Sequence, residues 1–595
     1  MFACFFESDA EIELTNSKFV FSLDLINLKN LNKISKYAIG GILTIAIIIR
    51  FLSIDFSKLD RYVITNYDGL GYYIYLPAIF IYNDITEYEW IGEIDEKYNV
   101  VGDDWMFQIS KHQNGNYVTK YLGGIAIMQL PFFLAAHGYA TLTDYPADGF
   151  SIPYQIALSF GPLVYFILIL FLLRRILLRY YNDEATAVTL VLLFLASNAI
   201  EYIAIEAGHS HGYILLMYSL IVWLSIKWHQ RPTAKVALGI GIVIGLATIM
   251  KPTELIIFLI PLLWNTHSKE ASKEKWALIR KYKNHIALVC LGVFLGALPQ
   301  VSYWMYVIDS PIHTVGSKWY FLNPYFRVIF GWEKGWFIYT PVTILFALGL
   351  FFMKGKPFQK SVIWFCLLNI WIVISWSVWR YGGSYSTRAL VQSYPIFALA
   401  LAGIITWILN TKFKALFYLL AVYLIVVNLF QIWQYREGIL RHDEMNCTYY
   451  QAVYLDKNPT ALDMSMLDGG ERINFNSSSF KYYGNVVPKN SIESGEVFYS
   501  SKISGGEWLD IDLNLRSNKG FWKGFVVITM IDNQGEEIDL KKFRMFNNLT
   551  KSNKINRYHM QLKMPDDADK IEMRLGGGEN VAAEIRSLVV KGCSK

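Results

Sequence analysis

Charged side chains are scarce in this chain: aspartate, glutamate, lysine and arginine make up 17% of 595 residues, against 54% hydrophobic ones. A water-soluble chain of this length carries more charge, so lipid is the solvent for much of it. Cysteine is also sparse, with five residues, no CxxC pair and no Cys/His spacing of a zinc module. Cys290 and Cys366 lie inside apolar runs and Cys4 near the start. Cys447 and Cys593 flank the polar tail, where they either bridge in an oxidising compartment or stay as two thiols. A basic face is missing as well. The formal charge is +6, and Lys and Arg fall in short clusters between apolar runs, which speaks against nucleic acid as a partner. No cleavable leader is legible: the first apolar run begins near Tyr37 with no small-residue cleavage site behind it, so the reading is a retained anchor. Internal repeats and low-complexity tracts are absent.

What the chain has in abundance is apolar runs of membrane length. A bilayer core takes roughly 17 to 25 apolar residues per helical span. Runs bounded by charge occupy 37–54, 152–173, 185–203, 211–228, 234–250, 252–264, 284–308, 336–353, 361–379, 389–409 and 415–433, about eleven spans. Loops 174–184, 227–235, 265–283, 354–360 and 410–414 hold seventeen Lys and Arg, against six in the intervening 204–210, 251, 309–335 and 380–388. Positively charged short loops stay cytoplasmic, which places the N-terminus inside and the C-terminal tail outside, in a plasma (inner) membrane. A further apolar stretch, 121–140, contains Pro131, and counting it as a span would move Arg174, Arg175 and Arg179 to the outer side. It is read as a helix lying at the interface.

After about residue 434 the pattern changes to period-two alternation. Leu509, Ile511, Leu513 and Leu515 share one face, and similar runs recur at 496–503, 523–531, 555–564, 570–575 and 584–591 between Gly, Asn and Asp turns. That predicts an antiparallel, jelly-roll-like β-sandwich. The expected organisation is a cytoplasmic segment 1–36, a mainly α membrane domain 37–433 with a first outer loop 55–151, a linker 434–469 and an extracytoplasmic accessory domain 470–595. Asn-x-Ser/Thr triplets at Asn446, Asn476 and Asn548 arise easily by chance.

Four outward-facing constellations carry polar chemistry between apolar runs. The first, NYDGLGYYIYLP from Asn66 to Pro77, sets Asp68 just beyond the first span with Tyr72 behind it. A carboxylate there suits proton removal from an acceptor hydroxyl, and equally a helix cap or an Asp-Gly turn. The acidic group Asp95, Glu96, Asp103 and Asp104 reads as a solvated loop. The second, EAGHSHGY, holds Glu206, His209 and His211, which would position a sugar, hold a divalent metal ion or form a polar turn. The third is Lys251, a lone cation between two apolar runs; a lipid phosphate would partner it, or else Glu254 or Glu206 would. The fourth, WSVWRYGGSYSTR from Trp376 to Arg388, offers Arg380 and Arg388 as planar forks for phosphate. Its Gly382 and Gly383 permit close backbone approach beside Tyr385. Its other reading is a tight turn whose arginines anchor headgroups. Loop 309–335 mixes Lys318, Trp319, Tyr320, Arg327 and Trp332, as sugar sites and membrane interfaces both do.

On these motifs the sequence over roughly 37–433 resembles the GT-C superfamily of polytopic glycosyltransferases, including protein O-mannosyltransferases and the aminoarabinose transferases of lipid A. In that superfamily an acidic residue soon after the first span acts at the catalytic centre, and the matching position is Asp68. The family form pairs Asp with Glu, whereas here Gly69 follows Asp68. The resemblance implies a GT-C-like fold and inverting transfer of a sugar from a polyprenyl-phosphate donor to a hydroxyl on a lipid, glycan or protein acceptor, at the outer face of the bilayer. Asp68 would be the base; Lys251, Arg380 and Arg388 would surround the phosphate; Tyr72, Glu206, His209, His211, Gly382, Gly383 and Tyr385 would bind substrate. Two other classes stay open: a flippase or transporter of polyprenyl-linked glycans, and a non-catalytic envelope protein whose tail binds glycans. A transporter gathers its charges near the bilayer midplane. Here they lie at span ends on one face, which favours an enzyme.

Overall fold

A computed structural model describes residues 33–102, 106–314, 316–473, 480–486 and 489–593. Outside them lie Cys4 and the segment before Lys33, Asp103 and Asp104 of the acidic group, and Asn476. All eleven apolar runs carry helix. In lipid a backbone must satisfy its own N–H and C=O groups, and a helix does so within one segment. Five helices are long and apolar enough to cross a membrane: Ile34–Leu52, Ile152–Leu177, Asn284–Ile308, Arg388–Leu409 and Lys414–Arg436. Ala234–Met250, Pro252–Leu263, Thr343–Phe352 and Gln359–Ser375 are shorter apolar helices. The stretch 121–140 forms a helix over Gly124–Thr141 with Pro131 inside it, and it is not one of those five.

Local chemistry sets where the helices start and stop. Asn182 and Thr233 each accept from the backbone N–H three residues on, capping Asp183–Leu195 and Ala234–Met250. Ala234–Met250 ends at Lys251, whose extended backbone (φ −151°, ψ 132°) is the conformation favoured before Pro252. That break turns the Lys251 ammonium out of the helical run. Ala234–Met250 and Asn284–Ile308 touch backbone to backbone through Gly241, Gly245, Gly292 and Gly296. A Cβ on Gly245 would stand 2.3 Å from the Val293 carbonyl oxygen. The N-terminus of Gly124–Thr141 approaches the end of the same helix, and a Cβ on Gly124 would be 2.7 Å from Ile249 O.

On the side predicted to be cytoplasmic, Lys275 is only 3% exposed, on the amphipathic helix Lys269–Lys281. Its ammonium donates to the carbonyls of Pro261 (2.8 Å), Leu262 and Trp264 (2.7 Å), which the end of the preceding helix leaves without partners. Hydrogen bonds from a charged donor are worth about 1.5–3 kcal/mol. Lys275→Met is therefore expected to lower the unfolding temperature of the detergent-solubilised chain by several degrees, and Lys273→Met, on the exposed face, to leave it unchanged.

The tail forms two antiparallel sheets. One has the order 497–502, 570–576, 525–531, 537–544; the other runs 481–486, 582–593, 508–519, 555–563, with 489–493 also paired to 582–593. Leu509, Ile511, Leu513 and Leu515 are all at most 1% exposed and pack in one core with Val526, Ile528, Ile571 and Met573 of the other sheet. Burying each such side chain stabilises by roughly 1.5–3 kcal/mol. The strands 481–486, 489–493 and 537–544, and a hairpin of 109–111 with 117–119 within the 55–151 loop, carry weaker alternation and are not among the expected runs. Cys447 and Cys593 are both free thiols, so of the two readings open for them the structure has the unbridged one. The 434–469 segment is partly helical, at Cys447–Val453 and Ala461–Ser465. It fastens the sandwich through Arg544, which pairs with Asp468 at 2.7 Å and Glu444 at 2.8 Å.

Candidate active site

Asp68 opens a short helix, Asp68–Tyr73, after Tyr67 at φ +46°. Its carboxylate does not cap that helix. Oδ1 accepts from the Tyr121 hydroxyl at 2.5 Å and Oδ2 from Arg388 Nη2 at 2.8 Å, across 320 residues of chain. Burial pushes the Asp68 carboxyl up, but the Arg388 guanidinium and the Tyr121 hydrogen bond outweigh it and hold it below the usual carboxylate range.

The two glycines after Asp68 have steric causes. A Cβ on Gly69 would lie 2.6 Å from Ile64 O, and one on Gly71 would lie 2.1 Å from the Tyr121 ring. No second carboxylate fits at position 69 without moving backbone.

His209 stands between two acids, with Nδ1 3.9 Å from Asp68 Oδ2 and Nε2 3.3 Å from Glu206 Oε2. Arg388 Nη1 lies 3.3 Å from the same Nδ1. A guanidinium can only donate, so Nδ1 is the acceptor and a neutral His209 carries its proton on Nε2, facing Glu206. Burial lowers the His209 pKa against the pull of Glu206, which keeps the ring neutral. Glu206 sits behind His209 and is in turn 3.5 Å from Arg436 Nη2. His211 is held by Gln392 Oε1 at 2.7 Å, while Gln392 Nε2 donates to Glu254 Oε1 at 3.0 Å and the Tyr218 hydroxyl donates to Glu254 Oε2. Among the described residues no three His, Cys, Asp or Glu side chains are grouped so as to hold a metal ion.

Asp68, Tyr72, His209, His211, Lys251, Gly382 and Arg388 line one cavity of about 590 Å³, together with Tyr121, Glu254, Trp319, Trp376 and Gln392. Among the described residues no hydrogen bond or ion pair reaches the Lys251 ammonium, and burial draws its pKa down to about 8. The remaining residues singled out in the sequence lie elsewhere. Arg380 is 52% exposed, pairs with Glu333 at 2.8 Å and stacks on Trp379. The buried Tyr385 donates to Tyr339 O at 2.9 Å and Gly383 faces His442, neither on the cavity wall. Tyr121 and Gln392 carry no signal of their own in the sequence: the first begins an apolar run and the second is a lone amide near the start of the run 389–409.

No protein-family profile matches the chain, and no curated protein matches it. Among solved structures it is similar to ArnT from Cupriavidus metallidurans bound to undecaprenyl phosphate, at 14% identity and a TM-score of 0.43 over 72% of this chain and 70% of that one. It is also similar to the oligosaccharyltransferase of Archaeoglobus fulgidus in its apo form, at 11% and 0.40, over 70% of this chain and 58% of that one. The VP2 subviral particle protein of infectious bursal disease virus matches 20% of the chain at 14% identity and a TM-score of 0.16, and the match spans a third (33%) of the VP2 chain. With TM-scores under 0.5 and identities no higher than 14%, these likenesses assign neither family nor function.

Proposed function

We propose that the chain is a membrane glycosyltransferase of the GT-C type that moves a sugar from a polyprenyl-phosphate donor to an acceptor hydroxyl. The observation that carries this reading is the Lys251 ammonium: a cation with no partner among the described residues, in a cavity that the Asp68–Arg388 pair also lines. A half-buried cation facing a cavity calls for an anion, and a donor phosphate supplies it. In the reaction the acceptor O–H bond breaks and its proton passes to Asp68. The acceptor oxygen forms a bond to the anomeric carbon from the face opposite the phosphate. The anomeric C–O bond breaks, and its electron pair leaves on the polyprenyl phosphate, so configuration inverts. Lys251 and Arg388 offset the charge gathering there. Arg380, tied to Glu333 and absent from the cavity lining, takes no part in this scheme.

The Arg388–Asp68 contact gives this scheme an order. While Arg388 binds Asp68, the carboxylate is a weak base. A phosphate that takes over the guanidinium releases Oδ2 and raises its basicity, so the base is switched on by the donor.

Two measurements test the proposal. Radiolabelled sugar supplied on a polyprenyl phosphate should appear on a new acceptor in membranes containing the chain; label that crosses the bilayer without changing carrier would make the protein a flippase instead. Lys251→Ala is expected to weaken undecaprenyl phosphate binding by about 10- to 100-fold, the worth of one charge-assisted hydrogen bond. Unchanged binding would remove Lys251 from the phosphate site.

A further inference from the structure

Lys334 lies between Gly331 and Gly335 in an aromatic loop and is only 5% exposed. Its ammonium donates to Arg380 O at 2.7 Å, to Gly382 O and to Ser384 Oγ at 3.1 Å. Three tetrahedral donors thus meet three acceptors, all on one five-residue stretch. The backbone at Lys334 is used as well, since Thr387 Oγ1 donates to Lys334 O at 3.1 Å and to Val328 O at 2.8 Å.

The stretch so held is one that would not keep its shape unaided. Tyr381 at φ +55° and Ser386 at φ +54° are both left-handed without being glycine, with Gly382 at φ +64° beside them. Each non-glycine in that region costs about 1–3 kcal/mol. The same stretch contributes Gly382 to the cavity wall and ends at Arg388, whose Nη1 is 3.5 Å from Gly383 O. Nothing places Lys334 itself on the cavity wall.

We infer that Lys334 is a positioning residue: its buried ammonium clamps the 380–388 loop so that the Arg388 fork faces both Asp68 and the donor phosphate. This rests on the reading of Arg388 as a phosphate ligand. A hydroxyl or an amide at 334 has too few donors for the three acceptors, which is why the position calls for a cation. Burial draws the Lys334 pKa down to about 7, with Arg388 and Arg380 lowering it further and Glu333 and Asp443 opposing; His442 also faces it. Above that pH the amine keeps two donors for three acceptors, and the clamp loosens.

The test is the Kd of undecaprenyl phosphate for the full chain in nanodiscs, from about pH 6 to about pH 9, for wild type, Lys334→Met and Lys334→Arg. Taking each variant as a ratio to wild type cancels the titration of the lipid and of Lys251. The Met variant is expected to bind about 10-fold more weakly at the acid end, with the ratio shrinking towards one as wild-type Lys334 loses its proton. The Arg variant, always charged, should bind like wild type at the acid end and more tightly at the alkaline end. Hydrogen exchange over 380–388 should rise in the Met variant and not in the Arg variant. A Met ratio near one at every pH, or a constant ratio that Arg does not rescue, would overturn the clamp. Failure of wild type itself to bind the lipid would instead sink the reading of the site.

Discussion

Asp68→Asn is expected to reduce sugar transfer by about three orders of magnitude while the chain still inserts and folds, because the amide keeps the shape and loses the base. The same substitution has a second, opposite consequence. In the wild-type cavity Arg388 is held by Asp68 at 2.8 Å, and a donor phosphate must compete for it. Removing the carboxylate charge frees the guanidinium, so Asp68→Asn should bind undecaprenyl phosphate at least as tightly as wild type, and tighter by several-fold if the competition is strong. Loss of transfer with unchanged or improved phosphate binding is the expected pattern. A parallel loss of both would mean that Asp68 serves the shape of the site rather than its chemistry. The pH behaviour follows from the sign of the shift. Asp68 is held below the usual carboxylate range, so the pair with Arg388 contributes stability above the carboxyl's ordinary pKa, near 4, and loses it as pH falls through the depressed value. Mildly acidic buffer should therefore leave the pair intact, and the acid limb of the transfer rate should not come from this pair breaking.

The parts of the site legible in the sequence are the charges that interrupt apolar runs. Asp68, Lys251 and Arg388 stand out because a charge at a span end needs a reason, and each lines the cavity. Arg380 has the same signature and lies outside it, because local sequence does not say which of two arginines eight residues apart turns inward. Tyr121 is illegible for another reason. Its hydroxyl meets Asp68 only because the helix after it crosses behind the Asp68–Tyr73 turn, a contact between segments 53 residues apart. Lys334 is hidden among tryptophans and glycines, where a lysine reads as an interface residue. In the tail the strong alternation at Leu509 to Leu515 gives its strand face directly, while 537–544 has only one fully buried residue, Phe543, and so no period to read.

Gly245→Leu is expected to prevent assembly of the membrane domain. A glycine inside a helix is usually a weakness that alanine would relieve by about 1 kcal/mol. Gly40 and Gly41 fit that rule: a Cβ at either would meet nothing within 4 Å, and Gly40→Ala should be neutral or stabilising. Gly245 does not fit it. Its Cβ would stand 2.3 Å from Val293 O and 3.0 Å from Gly296 Cα, and Gly241, Gly292 and Gly296 make the reciprocal contacts along the same seam. Backbone lies on both sides, so no side chain can rotate away, and the two helices must separate to admit even one carbon. Apolar side chains gain little by leaving lipid for a helix interface, so close packing along this seam is what joins the pair. Separating the helices also moves the end of Ala234–Met250, which carries Lys251 into the cavity and lies so near Gly124 that a Cβ there would stand 2.7 Å from Ile249 O. A loss above about 4 kcal/mol is expected, read as aggregated rather than monodisperse protein on gel filtration in detergent. The milder Gly245→Ala should leave enough folded chain to measure, with a lowered unfolding temperature and weakened undecaprenyl phosphate binding together. Full stability in Gly245→Leu would mean that the two helices are not joined along these glycines.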